Sequence, residues 1–519
     1  MVHHFLKFST GAWSRGVDKI RIRPEVFFGL ISPIGVDLDL VQSELSEGLR
    51  RVSFTPKLIK LTDFLREHPE WFDLRFETEF QRYEKFIQAG NRFCRVSKRR
   101  DALAVTGIAQ IYRDQEDRPN VIAAGAAYIF RQLKRVEEVK TLREVYGSNI
   151  LFIGCYSPKR SRVRNLVSIL LKSERGTDAN ELEAQALKII GIDENQKDEK
   201  DGQRFLDAYP HADFIIDCTD PTTIRSSVSR FIECFFGHPF VSPTRDEHGM
   251  YLAQTASLRS SDLSRQVGAA IFGANREIVS LGCNEVPAYG GGTYWLDHRP
   301  DARDFQLGYD SNARIRADMI RDLLGRLREG WLSEDYAAKS PEELATEALR
   351  DDEEQGPLAR AMIADVIEYG RMVHAEMNAI TDAARFGRAT KDGTLFCTTM
   401  PCHMCTKLVV AAGIKEVQYL QPYYKSLVRE LYEDSVAIDE SLPNRVRFRP
   451  FVGVTPNGFR KVFEKARRKN NQDVADRWNP TDAFPIFTTG YPSYLNTESN
   501  VLSGLDELND RMQQEAGKG

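Results

Sequence analysis

The segments His374-Ala375-Glu376 and Pro401-Cys402-His403-Met404-Cys405, about 25 residues apart, decide how this chain is read. One imidazole and two thiolates make three zinc ligands and leave the fourth tetrahedral position open. A structural zinc site closes with four protein ligands, so three point to a catalytic ion. Zinc brings the pKa of a bound water to about 7, and the chemistry that follows needs a proton carrier. Glu376, two residues past the histidine, is placed for that work without being a ligand. Met404 and His403 read as packing and supporting residues between the cysteines. The bland alternatives are a closed structural zinc site or reduced core thiols, and the neighbouring carboxylate argues against both.

Local pattern puts these residues on elements. The recurrence of Ala375, Met377, Ala379, Ile380, Ala383 and Ala384 predicts a helix with His374 in its first turn. Thr394–Thr399 reads as a buried strand, and Pro401 opens a second helix through Leu408, Val409 and Ala412. The ligands therefore start two helices, where the positive dipole end favours the thiolate form of cysteine. A helix over Gly249–Ser260, a hairpin of Gln266–Phe272 and Glu277–Cys283, and a strand at Glu416–Leu420 complete an α-β-β-α-β-α-β order. An insertion at 288–373 opens on Gly290-Gly291-Gly292. Its segments Arg314–Arg328 and Pro341–Tyr369 look helical, so a helical subdomain beside the site is expected.

The N-terminal half alternates strands with helices. Glu25–Ser32, Asn120–Arg131, Asn149–Cys155 and Phe214–Asp217 read as strands. Leu38–Leu49, Val136–Tyr146 and Thr222–Phe235 read as helices, and Leu58–Arg100 as a charged, aromatic-rich helical stretch. The expected class is α/β, with a doubly wound, mostly parallel sheet in residues 1–240. A second α/β domain follows over 241–470, then an extension over 471–519 whose polar tail from Asn496 frays. Gly191–Gln203 reads as an exposed loop or helix extension.

Composition narrows the function classes. At 519 residues the chain suits two to four domains. With 75 acidic against 71 basic side chains, no global field draws it to nucleic acid. The clusters Lys98-Arg99-Arg100, Lys159-Arg160 with Arg162 and Arg164, and Arg467-Arg468-Lys469 read first as solvated helix faces. Six cysteines beyond the ligands are scattered, which fits reduced, cytoplasmic usage and no disulfide framework. No apolar run approaches the length of a membrane span, so a soluble protein is expected.

After the first strand, Gly29 to Asp37 stands where a phosphate-cradling loop would stand, with Gly29, Ser32, Gly35 and Asp37 as candidate nucleotide contacts. Val36 takes the place of the lysine and Asp37 that of the magnesium-binding hydroxyl, so phosphoryl transfer is not expected. A pseudo-kinase scaffold and a nucleotide sensor both remain open. The run Lys159–Arg164 follows a strand and is placed to reach a phosphate as a lid would.

The pattern H-x-E…P-C-x-x-C is the signature of zinc nucleobase deaminases. With Arg265–Ala270 and Gly282–Pro287 ahead of it, the C-terminal half resembles deoxycytidylate deaminases. The architecture as a whole resembles the bacterial antiphage dCTP/dCMP deaminases, which carry a P-loop-kinase-like N-terminal domain. Gly29–Leu38, Lys134–Tyr146, Arg259–Val267 and Asn284–Trp295 carry that likeness, and Leu258–Gln266 followed by the triple glycine favours this branch. The resemblance implies a cytidine-deaminase-like α/β/α domain and a zinc-dependent hydrolytic deaminase converting dCTP or dCMP to the deoxyuridine nucleotide. It also implies depletion of deoxycytidine nucleotides in antiphage defence, a homo-oligomer, an allosteric or N-terminal nucleotide and, in some systems, an inhibitory small RNA. Asn284 resembles the family residue that holds the sugar hydroxyl or positions the base. Arg259, Arg265 and Lys425 are the candidate phosphate-binding cations.

Three other functions compete with this one. Deamination inside single-stranded nucleic acid or tRNA needs a basic groove and stacking platforms. A nucleotide-sensing module with a vestigial deaminase would be free to lose Glu376. A bifunctional kinase-deaminase is disfavoured by Val36 and Asp37.

Overall fold

The computed structural model describes residues 23–116, 125–174, 176–196, 202–350, 356–359, 361–423, 426–439, 442–465, 467–469, 471–487, 494–502 and 505–516. Two six-stranded sheets organise them. The first takes β1 (Val26–Ile31), β2 (Thr55–Lys60), β3 (Ala126–Leu133), β4 (Ile150–Tyr156) and β5 (Phe214–Asp217). The second takes β6 (Gly268–Phe272), β7 (Ile278–Cys283), β8 (Thr394–Thr399), β9 (Glu416–Gln421), β10 (Val436–Ile438) and β11 (Val446–Pro450). A two-residue strand, β12 (Gly453–Val454), crosses back and pairs antiparallel with β5.

The first sheet runs β2-β3-β1-β4-β5, all parallel. Every residue of β1 is buried, as a strand covered on both faces by helices must be. The expectation of a doubly wound α/β half holds. The second sheet joins an antiparallel hairpin, β6 with β7, to the mostly parallel series β8, β9, β11, β10. Its core packs the Arg245–Ser257 and Ala375–Arg385 helices against β6 to β8.

Val136–Tyr146, Phe214–Asp217 and Thr394–Thr399 form where the apolar pattern puts them. Four expectations change. Leu58–Lys60 is not helical; it closes β2, an edge strand whose exposed Thr55 and Lys60 and whose Pro56 mask its strand pattern. Pro341–Tyr369 is not one helix; a helix spans Pro341–Ala348, and beyond it, among the described residues, a 3-10 turn forms at Met362–Asp365. Asp193, inside the polar stretch 191–203, is fully buried rather than exposed, because Lys134 Nζ meets it at 2.7 Å. The tail past Asn496 also docks: the Leu505–Ala516 helix buries Met512 and lies against the Glu79–Ser97 helix.

The two sheets are tied together beyond the chain linkage. Glu247, on the Arg245–Ser257 helix, accepts hydrogen bonds from Val454 N at 3.0 Å and Arg230 Nε at 3.1 Å. One buried carboxylate thus joins the second half to β12 and to the Pro221–Phe235 helix of the first. Among the described residues no helix is long and apolar enough to cross a membrane.

Candidate active site

Two helix N-termini converge at the carboxyl end of β8. His374 is the N-cap of the Ala375–Arg385 helix, and Cys402 is the N-cap of the His403–Ala411 helix. Neither side chain caps its own helix, so both are free to face each other. His374 Nδ1 lies 3.4 Å from Cys402 Sγ and 3.3 Å from Cys405 Sγ. Tetrahedral zinc, with Zn–S about 2.3 Å and Zn–N about 2.0 Å, requires S···N separations of about 3.5 Å, so the donors already stand at the right spacing. Two sulfurs and one imidazole suit zinc's borderline-soft chemistry. Among the described residues these three form the one group able to hold a metal ion, with all donor atoms within 4.8 Å of one another.

Electrostatics divides the two thiols. The Cys405 thiol donates to Cys402, and with the His374 ring beside it this pushes Cys402 down to about 4 despite burial. Burial drives Cys405 well up. Burial works to lower His374, but the adjoining Cys402 sulfur outweighs it and the imidazole is raised.

Glu376 sits in the first turn of its helix, only 4% exposed, with Oε2 3.5 Å from Cys405 Sγ. Burial pushes its carboxyl above the ordinary value, so the group holds its proton more readily than a surface glutamate. The helix that carries it lies directly on β7 at Gly282. A Cβ there would stand 2.2 Å from Ala375 O and 2.5 Å from Ala379 N. Close backbone approach at that glycine fixes how deep Glu376 reaches.

A pocket of about 210 Å3 opens in front of His374, Glu376 and Cys402. Arg265 lines it, its guanidinium 5.1 Å from the centre of the Tyr423 ring and without a carboxylate partner among the described residues. Asn284 lines it too, but both ends of its amide are engaged. Oδ1 accepts from Val267 N at 2.7 Å, and Nδ2 donates to Arg265 O at 2.9 Å. Asn284 thereby holds the chain that presents Arg265. Arg259 is not among the pocket residues; it donates to Cys283 Sγ and Thr293 Oγ1 and stacks 4.1 Å from the centre of the Trp295 ring. Lys425 lies outside the described residues.

The insertion supplies a wall that residue patterns did not reveal. Asp304, Asp310, Asn312, Ile367 and Gly370 all line the pocket. Asp304 is paired with Arg371 at 2.9 Å and Asp310 caps the Ser311–Leu327 helix, so both carboxylates are already in use. His403, between the two cysteines, reaches Glu368 at 3.2 Å and pins the end of the insertion to the metal-ligand helix. No periodic signal marks these positions, because they sit in turns, in a four-residue helix or at the start of the Ser311–Leu327 helix.

The N-terminal candidates fall differently. Gly29 lies inside β1, packed on Phe152. The carbonyl of Ser32 accepts Lys134 Nζ at 2.6 Å, and Ile34 N donates to Asp193 Oδ2 at 2.7 Å. Gly35 turns the chain at φ +90°, and Asp37 caps the Leu38–Arg51 helix by accepting Leu40 N. An internal carboxylate therefore takes the loop amide of Ile34. The basic run is not wholly solvated either, since Arg162 is 7% exposed.

Comparison with known proteins bears on the same residues. Residues 243–421 match the cytidine and deoxycytidylate deaminase zinc-binding region. ComE operon protein 2 of Bacillus subtilis is 37% identical over 79 residues, 14% of this chain and 42% of that protein. Deoxycytidylate deaminase of Enterobacteria phage T2 is 41% identical over 54 residues, 10% of this chain and 29% of that one. Deoxycytidylate deaminase of Pongo abelii is 24% identical over 222 residues, 43% of this chain and 82% of that one. The chain thus spans less than half the length of the first two relatives. A crystal structure of the dCMP deaminase from cyanophage S-TIM5, in complex with dCMP and dUMP, aligns over 41% of this chain and 100% of that one, at 16% identity and a TM-score of 0.23. The second half of the chain carries a zinc-binding domain of the cytidine and deoxycytidylate deaminase type, and zinc is its cofactor.

Proposed function

We propose that this protein is a zinc-dependent hydrolytic deaminase that converts deoxycytidine nucleotides, dCMP or dCTP, to deoxyuridine nucleotides. The observation that carries the reading is Glu376: a buried carboxyl beside three metal donors, in the wall of a pocket, and not itself one of the donors. His374, Cys402 and Cys405 hold the ion, whose contribution when bound is to acidify water so that a nucleophile exists near neutral pH. Glu376 is placed to take a proton from the attacking water and deliver it to N3 of the cytosine ring as the C4–O bond forms. It then takes the remaining proton from the new C4 hydroxyl and passes it to the amino group, which leaves as ammonia as the C4–N bond breaks and the C4 carbonyl forms. A carboxyl raised by burial suits both steps, since it gives and takes a proton near neutrality more readily than a solvated one.

Arg265 is the residue for the phosphate. It is a pocket cation with no acidic partner among the described residues, held over Tyr423 and backed by Asn284. A guanidinium so fixed offers two parallel donors to phosphate oxygens. The small pocket, walled by the insertion, favours a free nucleotide over a strand threaded past it. Depletion of deoxycytidine nucleotides during phage infection is the physiological role proposed with this activity. The test is mass spectrometry of a mixed nucleotide pool incubated with zinc-loaded protein. Loss of deoxycytidine nucleotides with matching gain of deoxyuridine nucleotides is expected; an unchanged pool, or conversion only of an added cytosine oligonucleotide, would reject the proposal.

A further inference from the structure

A deoxynucleotide has a base, a phosphate and a sugar, and the candidate pocket offers each a different wall. The base must bring C4 to the metal donors and Glu376. The phosphate has Arg265, the one lining cation among the described residues apart from the ligand histidine. Asp262 stands in that same wall, where its Oδ1 accepts from Ser264 N at 2.7 Å and Arg265 N at 3.2 Å. The sugar is left to the wall that the insertion supplies, whose polar side chains are Asp304, Asp310 and Asn312.

Two of those three are held by the protein itself. Asp304 is 4% exposed and paired with Arg371 at 2.9 Å. Asn312 ties the insertion together: its Nδ2 donates to Val366 O at 2.7 Å, and its Oδ1 accepts from Tyr369 N at 3.1 Å. Asp310 is different. As N-cap of the Ser311–Leu327 helix it engages Oδ1 alone, accepting from Ala313 N at 2.7 Å. Its Oδ2 has no protein donor, and its charge meets no cation among the described residues. A carboxylate oxygen accepts and cannot donate, so whatever meets Oδ2 must bring a proton. The sugar of a deoxynucleotide has one hydroxyl to bring, at C3′.

We propose that Asp310 Oδ2 accepts the 3′-hydroxyl of the bound nucleotide and so makes a free 3′-hydroxyl a condition of turnover. This deepens the deaminase reading and rests on it. Esterification at O3′ removes the donor and sets a phosphate anion against an uncompensated carboxylate, so the contact is lost and a repulsion takes its place. A cytosine inside a strand carries that ester, and a free 5′-nucleotide does not. The insertion therefore rejects polynucleotides through one charge as well as through the size of the pocket.

The experiment measures kcat/KM of the full zinc-loaded chain for dCMP, 2′,3′-dideoxycytidine 5′-monophosphate and deoxycytidine 3′,5′-bisphosphate, in wild type, Asp310→Asn and Asp310→Ser. Asparagine and serine cap helices about as well as aspartate, so both variants keep the helix start while removing the charge, and the melting temperature checks this. Wild type should use the dideoxy compound about tenfold less well than dCMP, and the bisphosphate about a hundredfold less well. Both variants should lower kcat/KM for dCMP and raise the bisphosphate-to-dCMP ratio by about tenfold or more. A merely structural role would lower all three substrates together and leave that ratio unmoved. An unmoved ratio, or a wild type that uses either analogue within about threefold of dCMP, overturns the proposal. A wild type that deaminates none of the three removes the deaminase reading and the proposal together. One that deaminates dCMP without discriminating removes the proposal alone.

Discussion

Replacing Glu376 with glutamine should abolish turnover and spare everything else. The side chain is 4% exposed, and glutamine matches its shape and volume. No volume is lost, and the change in folding free energy should stay within about 1 kcal/mol. Metal content should also hold, because Glu376 is not among the three donors. What the amide cannot do is carry a proton from water to the ring and then to the leaving group. Positioned acid–base groups contribute about 10²–10⁴ in rate, which at about 1.4 kcal/mol per decade is about 3–5 kcal/mol of barrier. The assay is kcat for dCMP by the absorbance change on deamination, beside zinc by elemental analysis and the melting temperature. A variant with full zinc, a wild-type melt and kcat within about fivefold of wild type would refute the proton-carrier role.

Other consequences follow from the same geometry. Arg265→Ala should raise KM for dCMP by about tenfold or more, since a charge-assisted contact contributes about 1.5–3 kcal/mol, with zinc content unchanged; an unaltered KM would remove Arg265 from phosphate binding. Gly282→Ala puts a methyl 2.2 Å from Ala375 O, a backbone atom that cannot swing aside, and should cost about 1–3 kcal/mol in urea unfolding together with activity. Glu498, on the buried face of the Tyr494–Leu502 helix, is pushed up to about 8 by that burial, with the Glu25 carboxylate adding to it. Its folded form keeps a proton that the unfolded chain has already lost above about 4.3, so its contribution is full below that value and lost as pH rises through 8. Amide exchange over 494–502 should therefore quicken between pH 6 and 9 in wild type and lose that extra dependence in Glu498→Gln; identical pH profiles would contradict the assignment.

What the chain reveals unaided, and what it conceals, divides along physical lines. Strands buried on both faces, such as β4 and β8, announce themselves as apolar runs, and His374, Glu376, Cys402 and Cys405 are legible because metal chemistry restricts residue type and spacing together. β2 is hidden because an edge strand with Pro56 and alternating polar residues has only one covered side to signal. Asp193 is hidden because an acid in a charged run looks solvated until Lys134, 59 positions earlier, is brought against it. β12 is two residues long and exists only because β5 offers it an edge. The pocket wall of Asp304, Asp310 and Asn312 is concealed for a related reason: these residues reach the site through tertiary contacts and not through any local period.

The account stands or falls on a zinc ion held by three protein donors with one position left for solvent. X-ray absorption spectroscopy at the zinc edge, on the full-length protein, reads that shell directly. Two sulfurs, one imidazole nitrogen and one light oxygen scatterer are predicted, and Cys402→Ser should remove one sulfur or the metal altogether. Four protein donors around the ion, or a zinc shell unaltered by that substitution, would contradict it.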